Sequence, residues 1–145
     1  MGIRRLSREC TLQFLYACDL NDSFDKTEIR PFWGLLQEIH KISAEDMPNG
    51  YSLSFADTLI DGVLENLTTI DKIIKEYTAN WNFSRITVID RNILRISIFE
   101  ILFYEDVPFV VSINEAVDIA KKYSTPDSGK FVNGILDKIR NNNIS

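Results

Sequence analysis

Residues 86–104, ITVIDRNILRISIFEILFY, decide the fold of this chain. Apolar side chains occur on almost every side of the helix that this segment would form, at Ile89, Ile93, Leu94, Ile96, Phe99, Ile101, Leu102 and Phe103. A helix that is apolar all round is buried, because none of its faces suits contact with water. We therefore expect this segment to be the central helix of a helical bundle.

The first segment of the chain also has a helical period. Leu6, Cys10, Phe14 and Ala17 recur at spacings of four, four and three residues, which gives one apolar stripe. The second half of this helix is expected to be buried, whereas its first turns are expected to project from the body of the protein.

The other segments add helices on either side of the central one. Pro108 is expected to end the central helix, and residues 107–111 to form an extended link. Ser112 and Glu115 have the spacing of a capping box. Gly134 lies inside the last predicted helix, where glycine costs about 1 kcal/mol relative to alanine, so it is interpreted as a point of close helix approach. Further helices are predicted over residues 27–42, over 51–79 with a break near 66–69, from 112 onward and from 125 onward.

The predicted fold class is therefore all-α, with about seven helices. A chain of 145 residues with 45% apolar and 26% charged residues fits one domain with one main core. No apolar run approaches the roughly 20 residues of a membrane-spanning helix, and no signal-type apolar segment follows the N-terminus. A cytoplasmic protein is expected, with Cys10 and Cys18 as reduced core residues.

Residues that could carry out catalysis or bind a metal are scarce in this sequence. His40 is the only histidine, and no cysteine or histidine has the spacing of metal ligands. The pattern contains no phosphate-binding glycine loop, dinucleotide fingerprint or nucleophile elbow. Paired carboxylates at 45–46 and 105–106 lie in polar connecting segments and are interpreted as solvated charges. We expect a binding protein rather than an enzyme, with no cofactor and no metal.

The charge of the chain is distributed unevenly. The net charge is -5, yet residues 1–8 contribute +3 and residues 121–140, with five basic and two acidic residues, contribute another +3. The remaining residues then sum to -11. An acidic body with two basic ends indicates an anionic partner, although two solvated faces without a partner would give the same charges.

The basic start is unfavourable for a helix, because a helix N-terminus carries about half a positive charge. Arg4, Arg5 and Arg8 lie in the first turns, and no acidic residue precedes Glu9. An external anion would explain this placement, and a solvated helix end is the alternative.

Single-stranded RNA is favoured over duplex DNA, since no segment resembles a recognition helix. Tyr16, Tyr77 and Phe131 could stack on unpaired bases, and core packing is the alternative for each of them.

Three stretches of this sequence resemble the bacterial NusB family of transcription antitermination factors. They are RRLSRECTLQFLY at 4–16, IDRNILRISIFEIL at 89–102 and VPFVVSINEAVDIAKKYSTPDSGKFVNGILDKI at 107–139. The last stretch is the most specific, because INEAV and KFVNGILDK occur together at the family's spacing. Residues 21–65 match only in their helical pattern.

The resemblance implies one domain of two small helical subdomains, residues 1–79 and 80–145. It also implies binding of a U-rich single-stranded element, boxA, in ribosomal RNA leader transcripts. The family binds this RNA jointly with the small-subunit ribosomal protein NusE. Other Nus factors and RNA polymerase are the further partners that it implies, and both a monomer and a homodimer stay open.

The resemblance also assigns roles to individual residues. Protein-partner contacts fall on Asp90 and Arg91. The family often has three consecutive arginines where this chain has Leu6 in third place, so RNA binding is expected to depend more on the protein partner. RNA contacts fall on Arg4, Arg5, Arg8, Tyr16, Tyr77, Asp127, Ser128, Lys130 and Phe131, so both basic ends would have to meet on one surface.

Two other interpretations of the sequence stay open. A similar helical domain precedes the catalytic domain of certain ribosomal RNA cytosine methyltransferases, so the chain could be an RNA-binding fragment of such an enzyme. A helical protein-binding module with no RNA role would also explain the acidic body.

Overall fold

The computed structural model describes residues 2–47, 53–79 and 86–143, and within these ranges every regular element is helical. The predicted all-α fold with about seven helices is confirmed. The α-helices are α1 (Ile3–Asn21), α2 (Ile29–His40), α3 (Ser54–Glu65), α4 (Leu67–Tyr77), α5 (Val88–Phe103), α6 (Phe109–Tyr123) and α7 (Ser128–Asn143), with short 3-10 turns at Lys26–Glu28 and Ala44–Asp46.

The chain forms two compact units, Met1–Leu64 and Glu65–Ser145. This boundary comes earlier than the expected one between residues 79 and 80. The physical reason is that α4 packs against α5 and α7. Arg95 of α5 also holds Asp71 of α4 through two hydrogen bonds of 2.8 and 2.9 Å.

The predicted central helix is the core of the second unit. α5 packs against α4, α6 and α7, and every residue from Asn92 to Glu100 is buried. Arg95 and Glu100, two of its buried charged residues, have hydrogen-bond partners inside the protein, as buried polar groups usually do. Arg95 Nη1 donates to Asn92 Oδ1 at 2.8 Å, and Glu100 Oε1 accepts from Ser112 Oγ at 2.9 Å.

The predicted capping box at Ser112 and the extended link at 107–111 are wrong. α6 begins at Phe109, with Pro108 at the N-cap position. The backbone N–H groups of Val111 and Ser112 already donate to the Pro108 carbonyl, at 2.9 and 3.2 Å. The Ser112 hydroxyl is buried and donates to Glu100. The Ser112 hydroxyl, which the local pattern assigns to a helix cap, thus bonds to the buried Glu100 carboxylate of α5 instead.

The predicted role of Gly134 is also wrong. Gly134 is exposed, and a Cβ added there would meet no atom within 4 Å. The close approach occurs at Gly129 instead, where an added Cβ would lie 3.2 Å from both Cγ and Cε of Lys121. Both glycines fit the helical periodicity of α7 equally well. Only the packing of α6 against α7 distinguishes them.

Replacing Gly134 by alanine should therefore stabilise the protein. Alanine restricts the unfolded chain and suits a helix better, and the side chain has room, so the free energy of unfolding should rise by about 0.5–1 kcal/mol. Urea denaturation followed by circular dichroism measures this change. Gly34→Ala, in an equally open position on α2, is the matched variant and should change in the same direction. A lower free energy of unfolding for Gly134→Ala would contradict the prediction.

The first unit buries the middle of the predicted apolar stripe of α1. Cys10 and Phe14 are buried, whereas Leu6 and Ala17, the two ends of the stripe, are half-buried. Cys18 is also buried, as expected for a core residue. Burial, and secondarily the charge of Glu9, raises the pKa of the Cys10 thiol to about 12. His40 at the end of α2 makes a 2.8 Å hydrogen bond through Nε2 to Gln13 Oε1 of α1.

The described residues contain neither a candidate metal cluster nor a candidate membrane-spanning helix. No group of three or more His, Cys, Asp or Glu side chains among the described residues could hold a metal ion. None of the helices in the same ranges is long and apolar enough to cross a membrane.

Candidate nucleic-acid interface

The N-terminus of α1 carries a concentration of positive charge. Gly2 is at the N-cap position, so no side chain caps the helix, and the first turn contains no acidic residue. Arg4 is exposed and Arg5 is half-buried. Unpaired N–H groups at a helix start attract anions, so these two guanidinium groups add to an attraction that the backbone already provides.

Arg8 differs from the other two arginines. It is 3% exposed, and its Cζ lies 5.1 Å from the centre of the Phe55 ring of α3. Arg4 contacts the same ring, with its Cζ at 4.5 Å from the ring centre. The expectation that the first turns of α1 project from the body is therefore wrong, since burial begins at Ser7. Arg8 packs inside the first unit, and Arg4 is held by an aromatic contact.

Tyr16 extends the accessible side of α1. Its side chain is 38% exposed. Arg5 and Tyr16 are eleven residues apart, which is close to three full turns, so both lie on the same side of the helix about 16 Å apart along its axis. This spacing would suit a phosphate contact at Arg5 and a base contact at Tyr16 on one extended strand.

The start of α7 brings a second group of predicted residues together in the second unit. Asp127 and Lys130 are exposed, and Phe131 is half-buried. Asp127 directly precedes α7, where a carboxylate is favoured by the helix dipole. Its position next to a basic patch therefore has a structural explanation.

Lys121 is a cation of this surface that the sequence reasoning counted only in the net charge. Its side chain lies over Gly129, in the first turn of α7, because Lys121 Cγ and Cε would both lie 3.2 Å from a Cβ added to that glycine. A lysine eight residues before a glycine gives no signal by itself, because the contact depends on how α6 packs against α7.

Ser128 is buried, and its hydroxyl is fully occupied by neighbours. Its Oγ lies 2.7 Å from Ser124 Oγ and 3.1 Å from Thr125 Oγ1, and it donates to Asp90 Oδ2 at 3.0 Å. Its side chain is therefore placed to fasten α7 rather than to contact a ligand.

Asp90 is 6% exposed and belongs to the same buried group. Its backbone N–H donates to Thr87 Oγ1, the N-cap of α5, at 3.1 Å. Arg91, the neighbouring residue predicted to contact the partner protein, is half-buried. Tyr77, a predicted RNA contact at the end of α4, is also half-buried. A partner protein would reach Arg91 more readily than Asp90, whose role in docking stays a prediction.

Comparison with known proteins places this arrangement of helices in a family. The model described as "NusB family" matches residues 5–141. Transcription antitermination protein NusB of Thermodesulfovibrio yellowstonii is 49% identical over 143 residues, which cover 97% of this chain and 93% of that protein.

Two solved structures resemble the fold. T. maritima NusB has a TM-score of 0.74 and 35% identity, covering 97% of this chain and 92% of that one. A structure of the antitermination factors NusB and NusE in complex with double-stranded RNA has a TM-score of 0.79 and 27% identity, covering 98% of both chains. Since sequence and helix arrangement agree over nearly the whole length, the chain belongs to the NusB family of transcription antitermination proteins.

Proposed function

We propose that this protein is a transcription antitermination adaptor that acts in the cytoplasm without catalytic activity of its own. It binds a U-rich, boxA-type single strand of RNA jointly with the small-subunit ribosomal protein NusE. Together they join other Nus factors on RNA polymerase. The observation that carries the proposal is the start of α1, which has no side-chain cap and whose first turn contains Arg4 and Arg5 but no acidic residue.

Phosphate groups of the RNA are bound by accessible cations at the start of α1 and around the start of α7. Arg4 and Arg5 supply guanidinium groups at the start of α1, and Lys130 supplies an ammonium group at the start of α7. Lys121, over Gly129, adds a second ammonium group there. Guanidinium and ammonium groups bind the RNA backbone without reading its sequence, so these cations provide affinity.

Bases are contacted by aromatic side chains that retain accessible surface. Tyr16 is 38% exposed, and Tyr77 and Phe131 are half-buried. An aromatic ring that is partly exposed and held by its own helix offers a face for an unpaired base, worth about 1–3 kcal/mol per stacked base. Asp127, exposed beside Lys130, can accept a hydrogen bond from a base or orient Lys130.

The protein partner binds through charge complementarity. Outside the two basic ends, the chain sums to -11, which suits a basic ribosomal protein. Arg91, half-buried at the start of α5, is the member of the predicted pair that such a partner can reach. Arg8, Ser128 and Asp90 support these surfaces from inside.

Binding of RNA in the presence and absence of NusE tests the proposal. Fluorescence anisotropy of a labelled U-rich strand should show binding that NusE strengthens, and a scrambled strand and a duplex are the comparison RNAs. With Arg4, Arg5, Lys121 and Lys130 each neutralising one phosphate, the salt slope should be about -3, so affinity should fall about fiftyfold between roughly 50 and 200 mM salt. No binding to any RNA with NusE present would refute the proposal, and preference for the duplex would refute its single-stranded part.

A further inference from the structure

We infer that Asp90 is a positioning residue of the RNA surface, which acts through the Ser128 hydroxyl to fix the first turn of α7. The inference rests on the proposed function, because it concerns how the RNA-contacting start of α7 is held. It gives Asp90 a role other than direct contact with a partner protein.

The hydrogen bond between the two side chains is the first support. Ser128 Oγ donates to Asp90 Oδ2 at 3.0 Å, and the two residues are 38 positions apart in the chain. Asp90 is 6% exposed and Ser128 is 4% exposed. A buried hydrogen bond to a carboxylate is stronger than one between neutral groups, so it can hold one helix start against another.

The surroundings of the bond explain why it fixes a direction as well as a distance. Ser128 Oγ also lies within hydrogen-bonding distance of Ser124 Oγ and Thr125 Oγ1, in the turn between α6 and α7. The backbone N–H of Thr125 lies 3.3 Å from the same oxygen. The hydroxyl has a single proton, and the Asp90 carboxylate can only accept one when it is ionised. Asp90 thus directs that proton toward α5 and leaves the oxygen free to accept bonds from the turn.

Asp90 is itself anchored through its backbone at the start of α5. It lies in the first turn of α5, where the helix dipole stabilises a carboxylate. Its own N–H is bonded to the capping Thr87 hydroxyl. The line of contacts therefore runs from the start of the central helix to the start of α7.

The residues that this line of contacts positions are the accessible ones beside Ser128. Asp127 precedes it, and Lys130 and Phe131 follow within one turn. Because Ser128 and Gly129 are both buried while their neighbours are exposed, a small rotation of this turn would move the Lys130 ammonium and the Phe131 ring together.

RNA binding by the full-length protein with NusE present tests the inference, with Ser128→Ala as the main variant. Its affinity for the U-rich strand should fall about fivefold, the factor that one hydrogen bond controls. Ser128→Thr, which keeps the hydroxyl, should restore most of the affinity. Ser97→Ala is the matched control, because it also removes a buried serine hydroxyl from the second unit, one that bonds only the Ile93 carbonyl of its own helix. Its affinity should change less than twofold.

A double-mutant cycle then assigns the effect to Asp90. Asp90→Ala should lower the affinity as Ser128→Ala does, and the double variant should be no worse than either single variant, because both remove the same contact. Additive losses would overturn the inference. An unchanged affinity for Ser128→Ala would also overturn it, provided that the wild-type protein binds. Failure of the wild-type protein to bind any RNA would instead refute the proposed function.

Discussion

Replacing Arg4 and Arg5 together by glutamine is expected to lower RNA affinity about twenty-five-fold at roughly 0.1 M salt. The salt slope for a single strand is about 0.7 per neutralised phosphate. At roughly 0.1 M salt, a tenfold dilution from 1 M, each phosphate contact therefore raises the RNA affinity about fivefold. The slope itself should fall in magnitude by about 1.4. Affinity of the NusE-bound protein, measured by anisotropy at several salt concentrations, gives both quantities.

A control with the same loss of net charge separates a local contact from general attraction. Lys41 and Lys138 are exposed, at the end of α2 and on α7. Replacing both by glutamine also removes two positive charges, yet it should change the RNA affinity less than about threefold. At this salt concentration, screening limits the attraction between exposed charges to a range of about 10 Å. Equal losses in the two double variants would contradict a specific role for Arg4 and Arg5.

Replacing Arg95 by methionine is expected to lower the free energy of unfolding by about 3 kcal/mol. The Arg95 side chain is 4% exposed and makes two bonds to Asp71 and one to Asn92. Its loss leaves the Asp71 carboxylate, which is 21% exposed, without its buried partner. Breaking a buried pair costs about 3–5 kcal/mol, and the partial exposure of Asp71 places the expected value at the lower end. Urea denaturation measures the change.

The exposed pair between Lys26 and Asp61 supplies the comparison. Its 2.8 Å contact is as short, but the two side chains are 63% and 40% exposed. Lys26→Met should therefore cost less than about 1 kcal/mol. The double variant Arg95→Met with Asp71→Leu should recover much of the loss, because no charge is left buried. A cost for Arg95→Met as small as that for Lys26→Met would contradict the assignment.

The buried state of Asp90 changes how its predicted role in docking is to be tested. Asp90→Lys would place an unpaired charge among buried groups, at a cost of several kcal/mol, so loss of NusE binding in that variant would not distinguish docking from folding. Arg91→Ala is the better variant for the partner surface, because Arg91 is half-buried and truncation there introduces no new charge.

Sequence resemblance identified the family, and the periodicity of apolar residues predicted the helices. The central helix was evident from residues 86–104 because an all-round apolar segment has no stable place except a core. The break between α3 and α4 and the inward stripe of α1 followed from the same signal. These features depend on interactions between residues three or four positions apart, and such interactions are visible in the sequence.

Only the tertiary structure decided which polar residues are accessible. Arg8 and Arg4 look alike in sequence, yet Phe55, distant in the chain, lies over both and only Arg8 is buried. Ser112 has the local pattern of a cap, but its hydroxyl bonds to Glu100 of the neighbouring helix. Ser128 and Asp90 are likewise joined across 38 positions. A contact between distant segments depends on how whole helices pack, so the local pattern specified the helices while their packing selected the surface that a ligand can reach.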